Sequence, residues 1–218
     1  MYLTRMELYV GKRDTRKALL SPSIFHGAVE SSFAGGRERR LWRTDEFQGR
    51  YYLLLLSDQE PDLSHMAKQF GMEGNGQPWQ TKSYDTLLER IQSGSVWQFR
   101  LAANPTKSVK SSEKGRRGKV CAHITPEYQL KWLLERCENH GFSINPEEVL
   151  VTRSQWQRFY KGEQRKKPVS LLSVTFEGVL TVTDEISFRK TLVEGIGRGK
   201  AFGLGLLTVI KLQGSAYG

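Results

Sequence analysis

The sequence predicts an α+β protein made of two tandem ferredoxin-like halves followed by a Gly-rich loop, and three observations lead there. Over residues 1–90, segments of strand and helix pattern follow one another as strand, helix, strand, strand, helix, strand, the order of the β-α-β-β-α-β unit. A similar, less regular order recurs over residues 95–218. With 218 residues, 38% of them hydrophobic, the chain has enough apolar surface for one large packed domain or two small ones.

In the first half, residues 2–10 place Leu3, Met6, Leu8 and Val10 in imperfect alternation with polar residues, which fits a half-buried strand. A basic turn is expected next. Ser21-Pro22 reads as a helix start, because serine can cap free amides and proline at the first helical position forfeits no helical hydrogen bond. That helix is expected over 22–33, with Phe25, Val29 and Phe33 on its apolar face and Gly35-Gly36 ending it. Residues 39–47 and 50–57 read as a hairpin around Gln48-Gly49. A second helix over 63–70, interrupted by the glycines of 71–76, and a strand over 78–87 complete the unit.

The second half predicts strands over 95–103 and 119–124, then a helix over 126–139 capped by Thr125 and terminated near Gly141. Residues 169–182 read as a long hairpin turning near Glu177-Gly178, 185–192 as a helix and 204–212 as the last strand. Between these, 104–118 and 154–168 are polar, basic and weakly periodic, and are expected as surface loops or an exposed hairpin that touches a ligand.

The formal net charge of +10 is segregated along the chain. Residues 1–56, 96–120 and 153–170 are net positive, whereas 57–95 and 121–152 are net negative. Folded together, such segments give a positive face, the electrostatic footprint of a polyanion binder. The aliphatic run 53–56 is far shorter than the roughly 20 residues that span a bilayer, and residues 1–5 do not open a signal peptide, so a cytoplasmic protein without membrane contact is expected. Cys121 and Cys137 lack the paired spacing of a zinc site or disulfide framework. No metal site and no cofactor are expected, and no closely spaced carboxylate set accompanies the basic segments.

Residues 195–205 read Gly-Ile-Gly-Arg-Gly-Lys-Ala-Phe-Gly-Leu-Gly. Glycines at 195, 197, 199, 203 and 205 allow close backbone approach to a phosphate, with Arg198 and Lys200 supplying charge; a plain helix-to-strand connection is the competing reading. Neither a Walker loop nor a dinucleotide fingerprint fits, because Glu194 and Phe202 stand where those motifs need glycine, and Ala201 where a Walker loop needs Ser or Thr.

That loop, continued by Leu206-Leu207, resembles the C-terminal signature of the repeat-associated RNA-binding superfamily of CRISPR proteins. Within it the chain resembles the CasE (Cse3) endoribonucleases of type I-E systems. The likeness runs the whole length: Tyr-Leu-Thr-Arg at the start, Pro-Ser-Ile-Phe-His-Gly-Ala-Val around His26, Phe-Arg-Leu-Ala-Ala-Asn-Pro at 99–105, Val-Thr-Phe-Glu-Gly-Val-Leu at 174–180 and the terminal loop. The resemblance implies tandem ferredoxin-like domains, cleavage of CRISPR repeat RNA at the base of its hairpin, and retention of the product with the other subunits of the Cascade complex of antiviral defence.

RNA carries its own nucleophile in the ribose 2′-hydroxyl, so such an enzyme needs geometry, a proton-transfer group and donors for the phosphorane rather than an obligatory metal. Histidine suits the proton role because its ordinary pKa lies near 6.5. Spacing alone leaves His26 open between a catalytic group and an ordinary surface histidine; the resemblance implies that it is catalytic, as general acid or general base. Ser23 stands where some relatives carry a tyrosine, which argues against assistance by a phenol at that position. Arg158 and Lys161 are the candidates for phosphorane stabilisation. Lys107, Lys114, Arg116, Arg117, Lys119, Arg165, Lys166 and Lys167 are candidate RNA contacts, together with Ser23 and the loop residues named above. The competing functions are a non-catalytic guide-RNA-binding subunit of the same superfamily, a metal-dependent nuclease, and a ribosome-associated or transcriptional protein.

Overall fold

A computed structural model describes residues 1–34, 38, 40–72, 77–109, 118–160 and 168–212. The first half contains β1 (Tyr2–Leu8), α1 (Arg13–Leu20), α2 (Pro22–Glu30), β2 (Leu41–Phe47), β3 (Arg50–Ser57), α3 (Ser64–Phe70), β4 (Trp79–Ser83) and the short α4 (Asp85–Glu89). Its four strands form one antiparallel sheet in the order β2-β3-β1-β4, with Tyr2 opposite both Ser57 and Ser83.

Both faces of this sheet are covered. Thr4, Met6 and Leu8 of β1 and Leu53 and Leu55 of β3 face the helices, where they meet Ala18, Phe25, Val29, Leu63, Met66 and Phe70. Leu3, Leu54 and Leu56 point the other way, into the core of the second half. The sheet therefore explains why 53–56 is a continuous aliphatic run instead of an alternating one: a strand buried on both faces has no polar side.

The basic turn expected after β1 is instead α1. Only Thr15 and Ala18 of this helix are buried, side chains too small to give the sequence an apolar stripe. Thr15 Oγ1 donates to the Phe70 carbonyl at 3.1 Å, and Arg16 Nη1 donates to the carbonyls of Val10 and Gly11 at 2.7 and 2.8 Å, so polar contacts fix the helix. Two other boundaries also move. Helix α2 stops at Glu30, leaving Phe33 beyond it, and β4 stops at Ser83, after which α4 begins.

The second half runs β5 (Val96–Ala103), β6 (Thr106–Val109), β7 (Lys119–Ala122), α5 (Pro126–Cys137), β8 (Phe142–Ser143), β9 (Val149–Phe159), β10 (Val169–Val182), α6 (Glu185–Glu194) and β11 (Leu207–Lys211). Its main sheet has the order β11-β5-β10-β8, with β9 also on β10; β6 and β7 form a separate ribbon. Allowing for the ribbon and for an edge strand split into β8 and β9, the order in space repeats that of the first sheet. The fold is thus mixed α and β with antiparallel sheets.

Three expectations change here. Residues 169–182 are one unbroken strand, pairing with β5 on one side and β9 on the other, rather than a hairpin turning at Glu177-Gly178. Gly178 marks close approach instead of a turn, since a Cβ there would lie 2.1 Å from the Glu148 carbonyl oxygen. Residues 154–159, expected in a loop or an exposed hairpin, continue β9, which pairs antiparallel with β10. The side chains of Ser21 and Thr125 make no capping hydrogen bonds; Asp184, by contrast, caps α6 by accepting from the Ile186 amide at 3.0 Å.

The two halves are clamped by Arg43, whose side chain is 3% exposed. Its guanidinium donates to Asp45 Oδ1 and Oδ2 at 2.8 and 2.7 Å within β2, and reaches across to the carbonyls of Arg100 and Leu206 at 3.0 and 2.9 Å and to Thr208 Oγ1 at 2.9 Å. Leu41, Leu56 and Tyr84 from the first half, with Ile91 just beyond it, join the core of the second. Cys121 and Cys137 are both free thiols, and burial pushes the Cys137 thiol up to about 12. No helix among the described residues is long and apolar enough to cross a membrane.

Candidate nucleic-acid interface

Three elements converge around His26. Helix α2 is anchored by Phe25, 1% exposed, whose ring meets Trp42 edge-on at 5.9 Å and Phe70 at 5.1 Å. Adjacent residues on a helix are turned about 100° apart, so His26 leaves this buried stripe, and its side chain is 27% exposed. Its Nδ1 lies 4.0 Å from Glu30 Oε1, one turn on, while Arg40 Nη1 holds Glu30 Oε2 at 3.2 Å. A carboxylate fixed by an arginine thus stands beside one ring nitrogen of His26.

One turn before His26, Ser23 Oγ donates to the Tyr160 carbonyl at 3.2 Å and lies 3.1 Å from Ser21 Oγ. The start of α2 is thereby tied to the end of β9. There Phe159 is buried with Ala102, Leu171 and Leu204, and its ring meets Phe202 edge-on at 5.0 Å. Arg158 is exposed and, as the neighbour of Phe159 along a strand, projects to the opposite face. It reaches the same end of the molecule but does not share the packed face of Phe159. Tyr160, 58% exposed and not singled out in the sequence, lies directly beside this junction.

The third element is the Gly-rich loop, whose 3-10 turn Lys200–Phe202 packs against α2 and β2. Its glycines are shaped by the fold. At Gly203, with φ +77°, a Cβ would fall 2.7 Å from Trp42 Cζ3; at Gly195, with φ +72°, it would fall 2.6 Å from the Gly205 carbonyl oxygen. Gly205 in turn accepts from the Ile196 amide at 2.9 Å and donates to the Ala102 carbonyl at 2.6 Å. Gly197 and Gly199 also have positive φ. Lys200 Nζ donates to the Glu194 carbonyl and so braces the loop, while Arg198 is exposed on its outer side.

Lys107 and Lys119 are exposed on the β6–β7 ribbon. Lys114, Arg116, Arg117, Lys161, Arg165, Lys166 and Lys167 lie outside the described residues. The structure therefore brings Ser23, His26, the end of β9 and the Gly-rich loop together, and places the ribbon lysines on a separate element. The other histidines have structural contacts: His65 Nε2 lies 3.0 Å from the Ala28 carbonyl, His123 stacks on Tyr128, and His140 Nδ1 lies 2.8 Å from Thr191 Oγ1. Burial, reinforced by nearby cations, lowers the pKa of both His123 and His140.

This is an antiparallel α+β scaffold presenting a histidine, a glycine loop and exposed cations, and the sequence model of the CRISPR associated protein family matches residues 1–211 of it. The chain is 33% identical over 222 residues to the CRISPR-associated endoribonuclease Cse3 of Thermus thermophilus, covering 96% of this chain and 99% of that protein. It is 26% identical to the CRISPR system Cascade subunit CasE of Escherichia coli, over 79% of this chain and 96% of the relative. Among solved structures, CRISPR endoribonuclease Cse3 bound to a 19-nucleotide RNA superposes with a TM-score of 0.79 at 29% identity, covering 96% of this chain and all of that one. The chain belongs to the CasE/Cse3 family of CRISPR-associated proteins.

Proposed function

We propose that this protein is a metal-independent endoribonuclease that cleaves CRISPR repeat RNA at the base of its hairpin and stays bound to the product as a subunit of Cascade. The observation that carries this reading is the position of His26: partly exposed on α2, one turn from the Ser23–Tyr160 tether and beside the packed glycine loop. The relatives' roles, an endoribonuclease and a Cascade subunit, point the same way. The same reading takes residues 1–90 and 95–218 as tandem ferredoxin-like domains meeting at the Arg43 clamp.

In the proposed reaction the 2′-hydroxyl oxygen attacks the adjacent phosphorus, its proton passes to a base, and the bond to the 5′-oxygen breaks as that oxygen takes a proton from an acid. The products are a 2′,3′-cyclic phosphate, which water opens to a 3′-phosphate, and a 5′-hydroxyl. His26 serves as the acid or as the base. The Glu30 carboxylate, 4.0 Å from Nδ1, favours the protonated imidazole that the acid role needs. Arg158 and Lys161 supply charge to the phosphorane, with the lysines and arginines of 107–119, 165–167 and 198 gripping phosphates. In A-form RNA the narrow major groove limits base reading, so shape and phosphate contacts dominate hairpin recognition.

The test is cleavage of a repeat hairpin in chelator by the wild-type protein and by His26→Ala, with a second RNA carrying a 2′-deoxy at the scissile nucleotide. Wild type should cut the ribose substrate only, and His26→Ala should lose about 10²–10⁴-fold in rate with binding retained. Cleavage of the 2′-deoxy RNA would remove the intramolecular attack. Intact RNA with wild type, in chelator and with magnesium alike, would leave a guide-RNA-binding subunit; cutting only with magnesium would make it a metal-dependent nuclease.

A further inference from the structure

Beyond the His26 site the molecule has a pocket of about 300 Å³ between the β6–β7 ribbon, α5 and the outer side of the Gly-rich loop. Lys107, His123, Trp132, Glu135, Arg136 and Arg198 line it. Among the described residues none of the three cations pairs with a carboxylate; Glu135 turns toward Lys131 at 4.0 Å, both side chains being largely exposed. Trp132 is 3% exposed and forms the floor, since Phe176 stacks on it at 6.3 Å and the Arg136 guanidinium lies over its ring at 4.3 Å. Gly197 lets the loop close on that floor, as a Cβ there would come within 3.1 Å of the indole.

The mouth has a different chemistry. His123 and Tyr128 stack at 5.9 Å with an interplanar angle of 25°, Tyr128 is 56% exposed, and Lys107 Nζ stands 6.0 Å from its ring. Three cations around the pocket suit a phosphate, and an exposed Tyr128 ring backed by half-buried His123 suits a nucleobase; cationic tracks with aromatic platforms are how proteins hold unpaired strands. A duplex stem offers no free base to such a platform. The glycine loop joins this pocket to the His26 site, since Phe202 lies four positions after Arg198, a contour of at most about 14 Å.

We propose that this pocket holds one unpaired nucleotide of the substrate strand, its phosphate among Lys107, Arg136 and Arg198 and its base on Tyr128 and His123. The inference rests on the reading of the protein as a hairpin-binding ribonuclease and adds to it a single-strand subsite that fixes the chain flanking the stem. The neutral form of His123, favoured by burial and by Lys107, keeps that ring an uncharged partner for a base.

The test measures the affinity of the full chain for four RNAs with a 2′-deoxy at the scissile position: the bare hairpin, the hairpin with an unpaired extension on the 5′ side, the same on the 3′ side, and the extension alone. Tyr128→Ala and Arg136→Gln are compared with wild type, with melting temperature as the check on folding. One of the two extensions should tighten wild-type binding, and each substitution should weaken that RNA by about tenfold while leaving the bare hairpin unchanged. Arg136→Gln should also lower the salt slope on that RNA by about 0.7. Which extension responds identifies the flanking strand. An extension that adds nothing on either side, or equal weakening of bare and extended hairpins, would overturn the proposal. Should wild type fail to bind the bare hairpin, the hairpin reading falls, while the extension alone, weakened or not by Tyr128→Ala, still decides the pocket.

Discussion

Removing the carboxylate from the Arg43 clamp should cost far more than removing one from an exposed ion pair. In Asp45→Ala the Arg43 guanidinium keeps its bonds to the Arg100 and Leu206 carbonyls and to Thr208, but its charge, 3% exposed, loses its bidentate counterion at 2.7–2.8 Å. Breaking a buried pair by deleting one partner costs about 3–5 kcal/mol. Asp45 retains 14% exposure and a second cation, Arg100 Nε at 3.5 Å, so the lower end applies, about 3 kcal/mol. For a chain of this size that lowers Tm by roughly 6–12 °C. Arg43→Met should cost at least as much, because two buried carbonyls lose a donor, and the double variant should be milder than the sum by about 1–3 kcal/mol. The assay is urea unfolding followed by tryptophan fluorescence, with Glu7→Ala as control: Glu7 pairs with Arg50 at 3.7 Å, where the arginine is 66% exposed, and should change stability by less than about 1 kcal/mol. If Asp45→Ala matched Glu7→Ala, or the two clamp substitutions were additive, the clamp would not be what joins the halves.

The glycine loop and a half-buried histidine give two further expectations. Gly203→Ala should cost about 2 kcal/mol, since the left-handed φ of +77° is joined by a 2.7 Å approach to the buried Trp42, whereas Gly49→Ala, at φ +74° with nothing within 4 Å, should cost only the conformational part of about 1 kcal/mol; equal losses in thermal melts would refute the packing argument. His140 has a folded pKa below its ordinary 6.5, chiefly from burial and then from Arg136 and Lys200, so the unfolded chain binds the proton more readily. Its contribution is therefore present above about pH 6.5 and is lost as pH falls toward the lowered folded value; His140→Gln should flatten the stability profile over that window, and an unchanged profile would count against it.

Much of the fold was legible because its elements bury large side chains at regular spacing. Phe25 and Val29 announce α2, the paired aliphatic runs announce β2 and β3, and Phe188 with Leu192 supports α6. What escaped was built from small or polar residues: α1 buries only Thr15 and Ala18, and β9 shows mostly exposed residues because it lies at the edge of its sheet. The false turn in β10 has a similar cause. A glycine inside a strand reads locally as a turn, and only the tertiary approach of Glu148 shows why it is there. His26 was locatable but not assignable from spacing; the role proposed for it rests on Glu30, one turn on, and on the Ser23–Tyr160 tether one turn before, a contact across 137 residues that no local pattern encodes. The pocket was less legible still, since Lys107, Arg136 and Arg198 lie on three elements distant in sequence.

The two readings of the glycine loop fall on different atoms. Its glycines at 195, 203 and 205 face inward, toward Leu41, Trp42 and the loop's own carbonyls, which makes them joints between the halves rather than an open cradle. Lys200 is spent on bracing the loop through Glu194. The part that faces outward is the segment around Gly197 and Arg198, with Arg198 exposed and lining the α5 pocket. A loop made rigid by inward glycines holds its outward arginine in a fixed place, which is what a phosphate contact requires if it is to position a strand as well as attract it. The separation has a consequence for mutagenesis: Arg198→Ala should weaken RNA binding at unchanged Tm, whereas Gly203→Ala should lower Tm first. If both variants lost stability alike, the outward segment would also be structural and the loop would have no separate role in holding RNA.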